Sequence, residues 1–379
     1  MSAYGIFKVI YAPREAFKEI AQNPRYLGPI LVMILFIVAN VGAVYTLFTK
    51  TYIEVTVPSP ENKDLWTENK AFWEALNGAD CAENSTDYIA GKYYGNRSIE
   101  FSVKSNRIAM ELREIGGVNC SPQGGYTTLY LRVKWTAPEY PPENASLWIY
   151  SGTASSYQNI TNKLSHPRVW NNLTISLADK SWVGEIDWGN VTGLKLEIMW
   201  NQASDVRVLL DGLFFGGVYK SYAEEATTYL AFYAANSFMQ FTLRWFLFGG
   251  IIFVLTRLFK AKTVWRVILV LVGSILITMF VQAVASAATF SALPTLKYPL
   301  EYVGGVKGEA ESAYSKILEE TWFVNRVYSV LQMVIIIWTV VLCGIAIRQT
   351  MEFTWTTSLL TAFTAYFATM FLETLLLQI

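Results

Sequence analysis

Few residues in this chain have the types and spacing that catalysis requires. His166 is the single histidine among 379 residues, and it stands in Ser-His-Pro-Arg, a sequence typical of an exposed turn. A Ser-His-Asp triad, a Cys-His pair or a multi-histidine zinc site would have to use this residue. The sequence has no Walker loop, dinucleotide fingerprint or His-Glu-x-x-His motif. It therefore predicts a protein that is not an enzyme and that needs no organic cofactor.

Two charged residues, Arg244 and Glu373, lie within or at the end of long apolar runs. A charge at the centre of a bilayer costs about 2.5–3.5 kcal/mol, so each should be paired or should reach water. We expect an intramembrane ion pair between them that joins two helices. A transport pathway is the alternative use of the same two residues.

The chain has three cysteines, of which Cys343 lies within an apolar run. Cys81 and Cys120 lie outside these runs. Because cysteines in an oxidising compartment commonly pair, we predict a disulfide between Cys81 and Cys120. Cys343 should behave as a small buried hydrophobic residue.

Seven Asn-x-Ser/Thr sequons all lie within residues 51–222. Ser and Thr make up 26 of these 172 residues, so the 14 asparagines would precede one by two places about twice by chance. Half of the asparagines do so. The segment is therefore predicted to face the cell exterior or a secretory lumen and to carry glycans at Asn84, Asn96, Asn119, Asn144, Asn159, Asn172 and Asn190.

Five apolar runs are long enough to cross a membrane, since roughly 20 helical residues span a hydrocarbon core about 30 Å thick. One run precedes the sequons and four follow them within a helical part at 221–379, and the predicted spans are 26–49, 226–256, 267–296, 327–347 and 353–372. Residues 1–25 are amphipathic and basic, so they can lie along the membrane surface.

The distribution of basic residues indicates which segments lie on each side of the membrane. The loop from Arg257 to Arg266 holds four basic residues and no acidic one, so it is cytoplasmic by the positive-inside rule. This predicts a multipass protein of the cell membrane, in contact with lipids, with a cytoplasmic N-terminus and residues 50–225 outside. The formal net charge is zero, and no basic run lies away from the membrane flanks, so we expect no nucleic-acid partner.

Between the first two predicted spans, apolar residues no longer recur at the 3.6-residue spacing of a helix but at every second position. Ile99, Phe101 and Val103 alternate with polar neighbours, and similar alternation recurs at 129–135, 147–149 and 194–200. Turn signals such as Gly116-Gly117 and Ser151-Gly152 separate the strands. We predict an all-β sandwich of about seven or eight strands at 76–218, after an acidic connector at 50–75.

The outer segment resembles the jelly rolls of carbohydrate-binding modules. The resemblance rests on Gly91-Lys-Tyr-Tyr-Gly-Asn-Arg-Ser98 near its start and on Val206-Arg-Val-Leu-Leu-Asp211-Gly near its end. It implies that Asp211 helps to hold a structural calcium ion. A second interpretation is that Asp211 caps a turn beside Gly212.

The membrane part is similar to the YIP domain, the fold of Ypt/Rab-interacting proteins and their archaeal and bacterial relatives. The residues concerned are Pro13-Arg-Glu-Ala-Phe-Lys-Glu-Ile-Ala-Gln-Asn-Pro24 and the basic hairpin Lys260-Ala-Lys-Thr-Val-Trp-Arg266. The fold class implied is a bundle of five transmembrane helices with an extracellular jelly roll inserted between helices one and two. A prokaryotic, archaeal surface protein fits this resemblance better than a partner of small GTPases.

Three functions follow. The preferred one is a non-enzymatic surface glycoprotein that anchors or organises the membrane and binds a glycan or a protein partner. The alternatives are a transporter or channel that uses Arg244 and Glu373, and an ectoenzyme that acts on glycans with two carboxylates about 5–9.5 Å apart. We expect the sequon-free stretch from Gly193 to Gly217, together with its neighbours in the sheet, to form the contact surface that faces a partner or the membrane. Most tryptophans of the outer segment should be core residues, namely Trp66, Trp73, Trp135, Trp148, Trp170, Trp182, Trp188 and Trp200.

Overall fold

The computed structural model describes residues 4–177, 179–303 and 308–377. The chain divides into two compact units. The helical unit comprises Met1–Thr51, Ser221–Leu296 and Glu319–Ile379, and the β unit comprises Tyr52–Lys220 and Lys297–Leu318. The β unit is therefore more than an insertion between the first two apolar helices, because a second segment, after the third apolar helix, also belongs to it.

The described residues form nine α-helices: α1 Tyr4–Tyr11, α2 Pro13–Gln22, α3 Leu27–Lys50, α4 Leu65–Glu68, α5 Ala226–Leu258, α6 Trp265–Ile275, α7 Ile277–Ser291, α8 Glu309–Met351 and α9 Trp355–Leu377. A 3-10 turn at Tyr222–Glu225 precedes α5. Five helical stretches are long and apolar enough to cross a membrane: Leu27–Lys50, Tyr222–Leu258, Trp265–Ser291, Glu309–Met351 and Trp355–Leu376. Each overlaps one predicted span.

Two of these stretches differ from the prediction. The third ends at Ser291 rather than at 296, because Leu296–Tyr298 forms a strand. The fourth begins at Glu309, 18 residues before the predicted start at 327. The first half of α8 is helical but charged, so hydropathy detects only its apolar second half.

Small residues let the apolar helices approach one another closely. Helix α3 packs against α5 and α7, and α5 packs against α9. A Cβ atom added at Gly273 of α6 would lie 2.5 Å from the Cβ of Pro29 and 2.6 Å from Trp245 Nε1. Glycine is therefore required where α6 meets the other helices, as is common where membrane helices cross.

The amphipathic segment at 1–25 forms α1 and α2, which pack against α7 and α6. Val9, Ala16 and Phe17 are fully buried in this contact. The apolar stripe that predicted a position along the membrane surface is thus covered by the other helices of the same unit. The polar stripe, with Lys8 bonded to Glu15 and Glu19, remains outside.

Ten strands are described: β1 Thr51–Val57, β2 Trp73–Leu76, β3 Asp80–Asn84, β4 Ser98–Val118, β5 Thr128–Ala137, β6 Asn144–Ser151, β7 Ala154–Asn159, β8 Asn171–Ser176, β9 Val191–Ser221 and β10 Leu296–Tyr298. Strands β4 and β9 are long because each takes part in two layers. The front sheet has the order β7-β6-β9-β4-β2, and the back sheet has the order β8-β5-β9-β4-β3. Strands β1 and β10 extend the sheet beside β9.

The two sheets pack face to face. The β4–β9 ribbon passes from one sheet to the other at an irregularity between Ser105 and Arg107. Alternate residues of both sheets, such as Leu147 and Leu194 in the front and Leu131 and Val208 in the back, belong to one buried cluster. The predicted antiparallel sandwich is therefore present, with the alternating residues as its core.

The boundaries of the sandwich differ from the predicted 76–218. The segment at 50–75 is not a separate connector, because it contains β1, α4 and part of β2. Trp66 and Trp73 of this segment are buried in the core. The predicted contact surface at Gly193–Gly217 is also wrong in its second half, since residues 208–216 are all buried.

Candidate functional site

The front face, defined as the outer surface of the front sheet, carries a row of polar and aromatic side chains. Because alternate residues of a strand point to opposite sides, those between the core positions of β4, β6 and β9 point outward. Strand pairing brings them together: Trp148 is opposite Lys195, Lys195 is opposite Glu111, and Glu111 is opposite Glu74. One aromatic and three charged side chains thus form a row across four strands.

Trp148 is covered on both sides. Its indole stacks on Tyr157 with ring centroids 4.7 Å apart and planes 29° apart, and Lys195 Nζ lies 4.5 Å from its centroid. Strands β7 and β9 flank β6, so these two groups lie on opposite faces of the indole. Trp148 therefore stiffens the front face, and the faces of its ring are occupied by Tyr157 and Lys195 rather than open to a sugar.

Arg113 joins two glutamates from neighbouring strands. Its Nε lies 2.9 Å from Glu111 Oε1, and its Nη1 lies 3.0 Å from Glu74 Oε2. Farther along the same face, Arg107 Nη2 lies 2.7 Å from Glu197 Oε1. The front face therefore presents guanidinium and carboxylate groups in pairs, with both hydrogen-bond donors and acceptors in reach of a ligand.

An open groove of about 750 Å³ lies at one end of the front face. Tyr150 is half-buried in it, and burial raises the pKa of this phenol above its ordinary value, so its hydroxyl stays protonated. Four glycines leave the groove without side chains to fill it, and the lining is Glu111, Arg113, Gly116, Gly117, Tyr150, Gly152, Thr153, Thr192 and Gly193. Gly116 and Gly152 have φ angles of +85° and +60°, which glycine adopts readily.

Tyr150, Glu111 and Arg113 are not among the site residues predicted from the sequence. The turns at Gly116-Gly117 and Ser151-Gly152 are predicted, and both line the groove. In the strands next to these turns, the residues that alternate with the apolar core positions were the signal in the sequence that could have identified them. Which strands are neighbours was not visible in the sequence.

A second polar cluster is buried on the outer side of the back sheet. Asp211 Oδ1 accepts a hydrogen bond from Gly212 N and Oδ2 accepts one from Ile89 N, both at 2.7 Å. Asp64 is also fully buried, and its Oδ1 accepts a hydrogen bond from Gly95 N at 2.7 Å. Burial, followed by the hydrogen bond with Asp64, raises the pKa of Asp211 well above its ordinary value. Asp211 therefore keeps its proton to a higher pH than an exposed carboxyl group does.

This environment does not fit the calcium ion that the resemblance implied for Asp211. Each of its carboxylate oxygens already accepts a backbone N–H group, which leaves one lone pair rather than two on each oxygen for a cation. Among the residues that the structure describes, no group of three or more His, Cys, Asp or Glu side chains is placed to hold a metal ion. Asp211 instead stands at a bulge in β9, where Gly212 has a φ of +58°.

The tryptophans of the β unit are divided between core and periphery. Trp66, Trp73, Trp135 and Trp200 are buried. The other four are half-buried, and Trp182 and Trp188 contact each other with centroids 5.5 Å apart at the edge of the core. No tryptophan of the described β unit forms an open platform.

His166 is exposed in a turn, where its backbone N–H donates to Asn171 Oδ1.

The predicted disulfide is wrong for this structure, in which Cys81 and Cys120 are both free thiols. Cys81 pairs with Phe101 near the start of β4, whereas Cys120 lies just beyond Val118 at its end. The Cα atoms of a disulfide must lie within about 7 Å of each other. Because nearly the whole length of β4 separates the two residues, they cannot meet without unpairing β3 or β4.

In the helical unit, the structure brings Arg244 and Glu373 together. Arg244 Nη2 lies 2.7 Å from Glu373 Oε2, and Arg244 Nε donates to the same oxygen at 2.8 Å. Glu373 Oε1 is buried without a partner. The contact joins α5 to α9 through one carboxylate oxygen.

All seven sequon asparagines lie in the β unit, and none is buried. Those that are exposed are Asn96, Asn119, Asn159 and Asn190, and those that are half-buried are Asn84, Asn144 and Asn172. Asn159 Nδ2 donates to Asn144 Oδ1 at 2.8 Å, so two of the sites are adjacent.

No protein-family model matches the chain, and no curated protein matches it. Among solved structures, part of the chain is similar to an exo-β-agarase, with a TM-score of 0.31 and 10% identity, over 40% of this chain and 24% of that one. A β-1,2-glucanase from Parabacteroides distasonis matches with a TM-score of 0.30 and 15% identity, over 40% of this chain and 24% of that one. The family 30 carbohydrate-binding module of a Clostridium thermocellum cellulosomal cellulase matches with a TM-score of 0.28 and 12% identity, over 40% of this chain and 86% of that one. The match thus spans about a quarter of each enzyme and most of the binding module.

Proposed function

We propose that this chain is a membrane glycoprotein whose β unit binds carbohydrate at the groove of the front face. The helical unit would cross the membrane five times, with the N-terminus in the cytoplasm and the β unit outside the cell. Its surface supports this, because large apolar side chains are exposed on all five helical stretches, among them Val38, Phe232, Phe246, Val284, Val330, Ile337, Leu360 and Phe371. These side chains would face lipid.

The groove carries the carbohydrate proposal through one observation, the position of Tyr150 beside the Arg113–Glu111 pair. A phenol ring can pack against the C–H face of a sugar. Guanidinium and carboxylate groups next to it can bind neighbouring hydroxyls as donor and acceptor. An open groove with glycine walls would admit a chain of sugars rather than a single enclosed one.

The direct test is glycan-array binding by the full-length protein in nanodiscs. We expect Tyr150→Ala and Arg113→Ala each to weaken binding about tenfold, which corresponds to about 1.4 kcal/mol. Tyr140→Ala and Arg207→Ala are matched controls, since Tyr140 is an exposed tyrosine elsewhere and Arg207 forms an exposed ion pair with Glu100. If no glycan binds the unmodified protein, or if the controls weaken binding equally, the groove is not a carbohydrate site.

An ectoenzyme is the second candidate, because Glu74 and Glu111 are directly opposite on neighbouring strands. Such a pair of carboxylates has about the spacing that glycoside hydrolysis uses. Arg113, however, binds both, and its guanidinium stands where a glycosidic bond would have to lie. We therefore favour binding without catalysis. Release of reducing sugar from any array ligand, abolished by Glu111→Gln, would reverse this preference.

The helical unit would anchor the binding domain and, as the similarity to the YIP domain implies, organise the surrounding membrane. The Arg244–Glu373 contact supports a structural role over transport, since each charge has the other as its counter-charge. Substrate-dependent flux into liposomes that is lost in Arg244→Gln would favour the transporter instead.

Glycosylation would protect the β unit and restrict its contacts with other molecules. We expect glycans on several of the seven sequons, with the highest occupancy at the four exposed asparagines. Asn84 should have low occupancy, because its Nδ2 donates to Glu100 Oε2 at 2.6 Å and its Oδ1 accepts from the backbone of Thr86. Intact-glycopeptide mass spectrometry of the native protein measures each site. Seven bare asparagines would contradict the predicted exterior location.

A further inference from the structure

One end of the helical unit holds its arginines over aromatic rings. Arg348 Cζ lies 4.2 Å and Arg14 Cζ lies 5.9 Å from the centroid of the same ring, that of Trp355. In the same way, Arg266 Cζ lies 5.8 Å from the ring of Tyr26, and Arg257 Cζ lies 5.3 Å from the ring of Phe253. Four guanidinium groups are therefore positioned by π faces.

Contacts between chain segments show that these pairs share one end of the unit. The loop between α5 and α6 meets the loop between α8 and α9 through Phe259 and Phe353, whose ring centroids are 5.9 Å apart. Arg14 of α2 reaches the first residue of α9, and Arg266 of α6 reaches the residue that precedes α3. This end carries both short basic loops and the N-terminal helices.

Positive charge at this end is in excess. Residues 1–26, 257–266 and 348–355 contain nine Lys or Arg residues and three Glu residues. Two of the glutamates, Glu15 and Glu19, are bonded to Lys8. Within the described ranges, no carboxylate forms an ion pair with Arg14, Arg257, Arg266 or Arg348. Their charge is therefore available to an external anion.

We propose that this end binds the phosphate headgroups of anionic phospholipids, with Arg14, Arg348 and Trp355 as the principal site. A ring fixes a guanidinium through its face while the N–H groups at the edge stay free to donate to phosphate oxygens. Trp355 is partly exposed at the start of an apolar helix. The end of such a helix would lie at the headgroup region, where tryptophan is enriched in membrane proteins. Both arginines are exposed beside it.

The proposal rests on the membrane-spanning part of the proposed function and is independent of the groove. A lipid headgroup is the expected source of phosphate because Arg348 and Trp355 stand at the ends of α8 and α9, whose exposed apolar side chains would face acyl chains. Free phosphate offers the same oxygens without that anchorage. The acyl chain should therefore add to the affinity.

The test uses the full-length protein in neutral detergent, with native mass spectrometry to count bound lipids. The probes are phosphatidylglycerol, phosphatidylcholine with the same acyl chains, and inorganic phosphate as competitor. We expect phosphatidylglycerol to be retained preferentially, and inorganic phosphate to displace it only at concentrations far above that of the lipid. One basic residue near a surface contributes about fivefold in affinity. The double change Arg14→Gln with Arg348→Gln should therefore lower retention about 30-fold.

Two further variants keep this test specific. Lys104→Gln with Arg207→Gln removes two exposed positive charges from the β unit and should leave lipid retention unchanged. Trp355→Leu keeps both arginines but removes their common ring, and should lower retention less than the double arginine change. Melting temperatures of all variants identify any that fail to fold.

Equal retention of phosphatidylcholine and phosphatidylglycerol would overturn the proposal, and so would unchanged retention in the double arginine variant. Displacement by inorganic phosphate at concentrations similar to the lipid would assign a phosphate site rather than a lipid site. Loss of glycan binding alone would affect the proposed function of the groove and not this one. A protein that failed to enter nanodiscs would refute the membrane part that both share.

Discussion

Arg132 Nη2 lies 3.0 Å from Glu309 Oε2 and 3.2 Å from Glu309 Oε1, although the two residues are 177 positions apart. The Arg132 side chain is fully buried on the outer side of the back sheet, and its Cζ lies 5.8 Å from the rings of both Tyr94 and Tyr130. Glu309 is the first residue of α8. This ion pair fastens the second segment of the β unit onto the sandwich.

We expect Arg132→Met to lower the stability of the β unit by about 3–5 kcal/mol, because it leaves Glu309 buried without its partner. Adding Glu309→Gln should restore part of that loss, so the double-mutant cycle should not be additive. Thermal unfolding followed by near-ultraviolet circular dichroism measures the effect. Arg207→Met is the control, since its exposed pair with Glu100 should contribute less than about 1 kcal/mol. Additive losses would mean that the pair does not couple the two segments.

The buried carboxyl group of Asp211, next to the buried Asp64, makes stability depend on pH. Since the pKa of Asp211 is raised, its contribution is fully present below the ordinary value of about 3.9 and is lost as the pH rises through the raised pKa. The melting temperature of the β unit should therefore fall as the pH rises from about 4.

Asp64→Asn should make this decline shallower. The amide oxygen can keep the bond from Gly95 N, Thr67 Oγ1 can keep its bond to the carbonyl of residue 64, and the amide N–H can donate to an ionised Asp211. Glu54, whose pKa is also raised by burial, is unchanged in the variant, so the difference between the two profiles isolates the pair. Identical slopes would show that Asp64 does not contribute to the raised pKa of Asp211.

In the helical unit, Arg244→Ala should destabilise by about 3–5 kcal/mol, because Glu373 would stay buried without a counter-charge. The double change with Glu373→Ala should cost less than Arg244→Ala alone. Resistance to unfolding in detergent, compared among the four proteins of the cycle, tests this. A double variant that is less stable than either single variant would contradict the pairing.

Thiol reactivity tests the corrected cysteine assignment. In the native protein under non-reducing conditions, maleimide should modify half-buried Cys81 slowly. Cys120 should react only after unfolding, because burial shields it and raises its pKa to about 12. Cys343 should also need unfolding. If neither Cys81 nor Cys120 reacts in unfolded protein until a reductant is added, the two form a disulfide after all.

The sequence by itself determined the features that depend on local patterns. Apolar runs of about 20 residues favour long apolar helices, and each of the five predicted spans overlaps a helical stretch that is long and apolar enough to cross a membrane. Alternation of apolar residues likewise identified the core positions of the strands. Arg244 and Glu373 could be paired in advance because an apolar span offers a charge few other partners.

Only the tertiary structure decided which distant segments meet. It joined residues 297–318 to the sandwich, brought Tyr150 and Arg113 to one groove, and set Cys81 and Cys120 at opposite ends of β4. It also surrounded Asp211 with N–H donors and a second carboxyl group instead of a metal site. Strand order and register are non-local, because they follow from the packing of whole faces against one another, and no local pattern of residues encodes them.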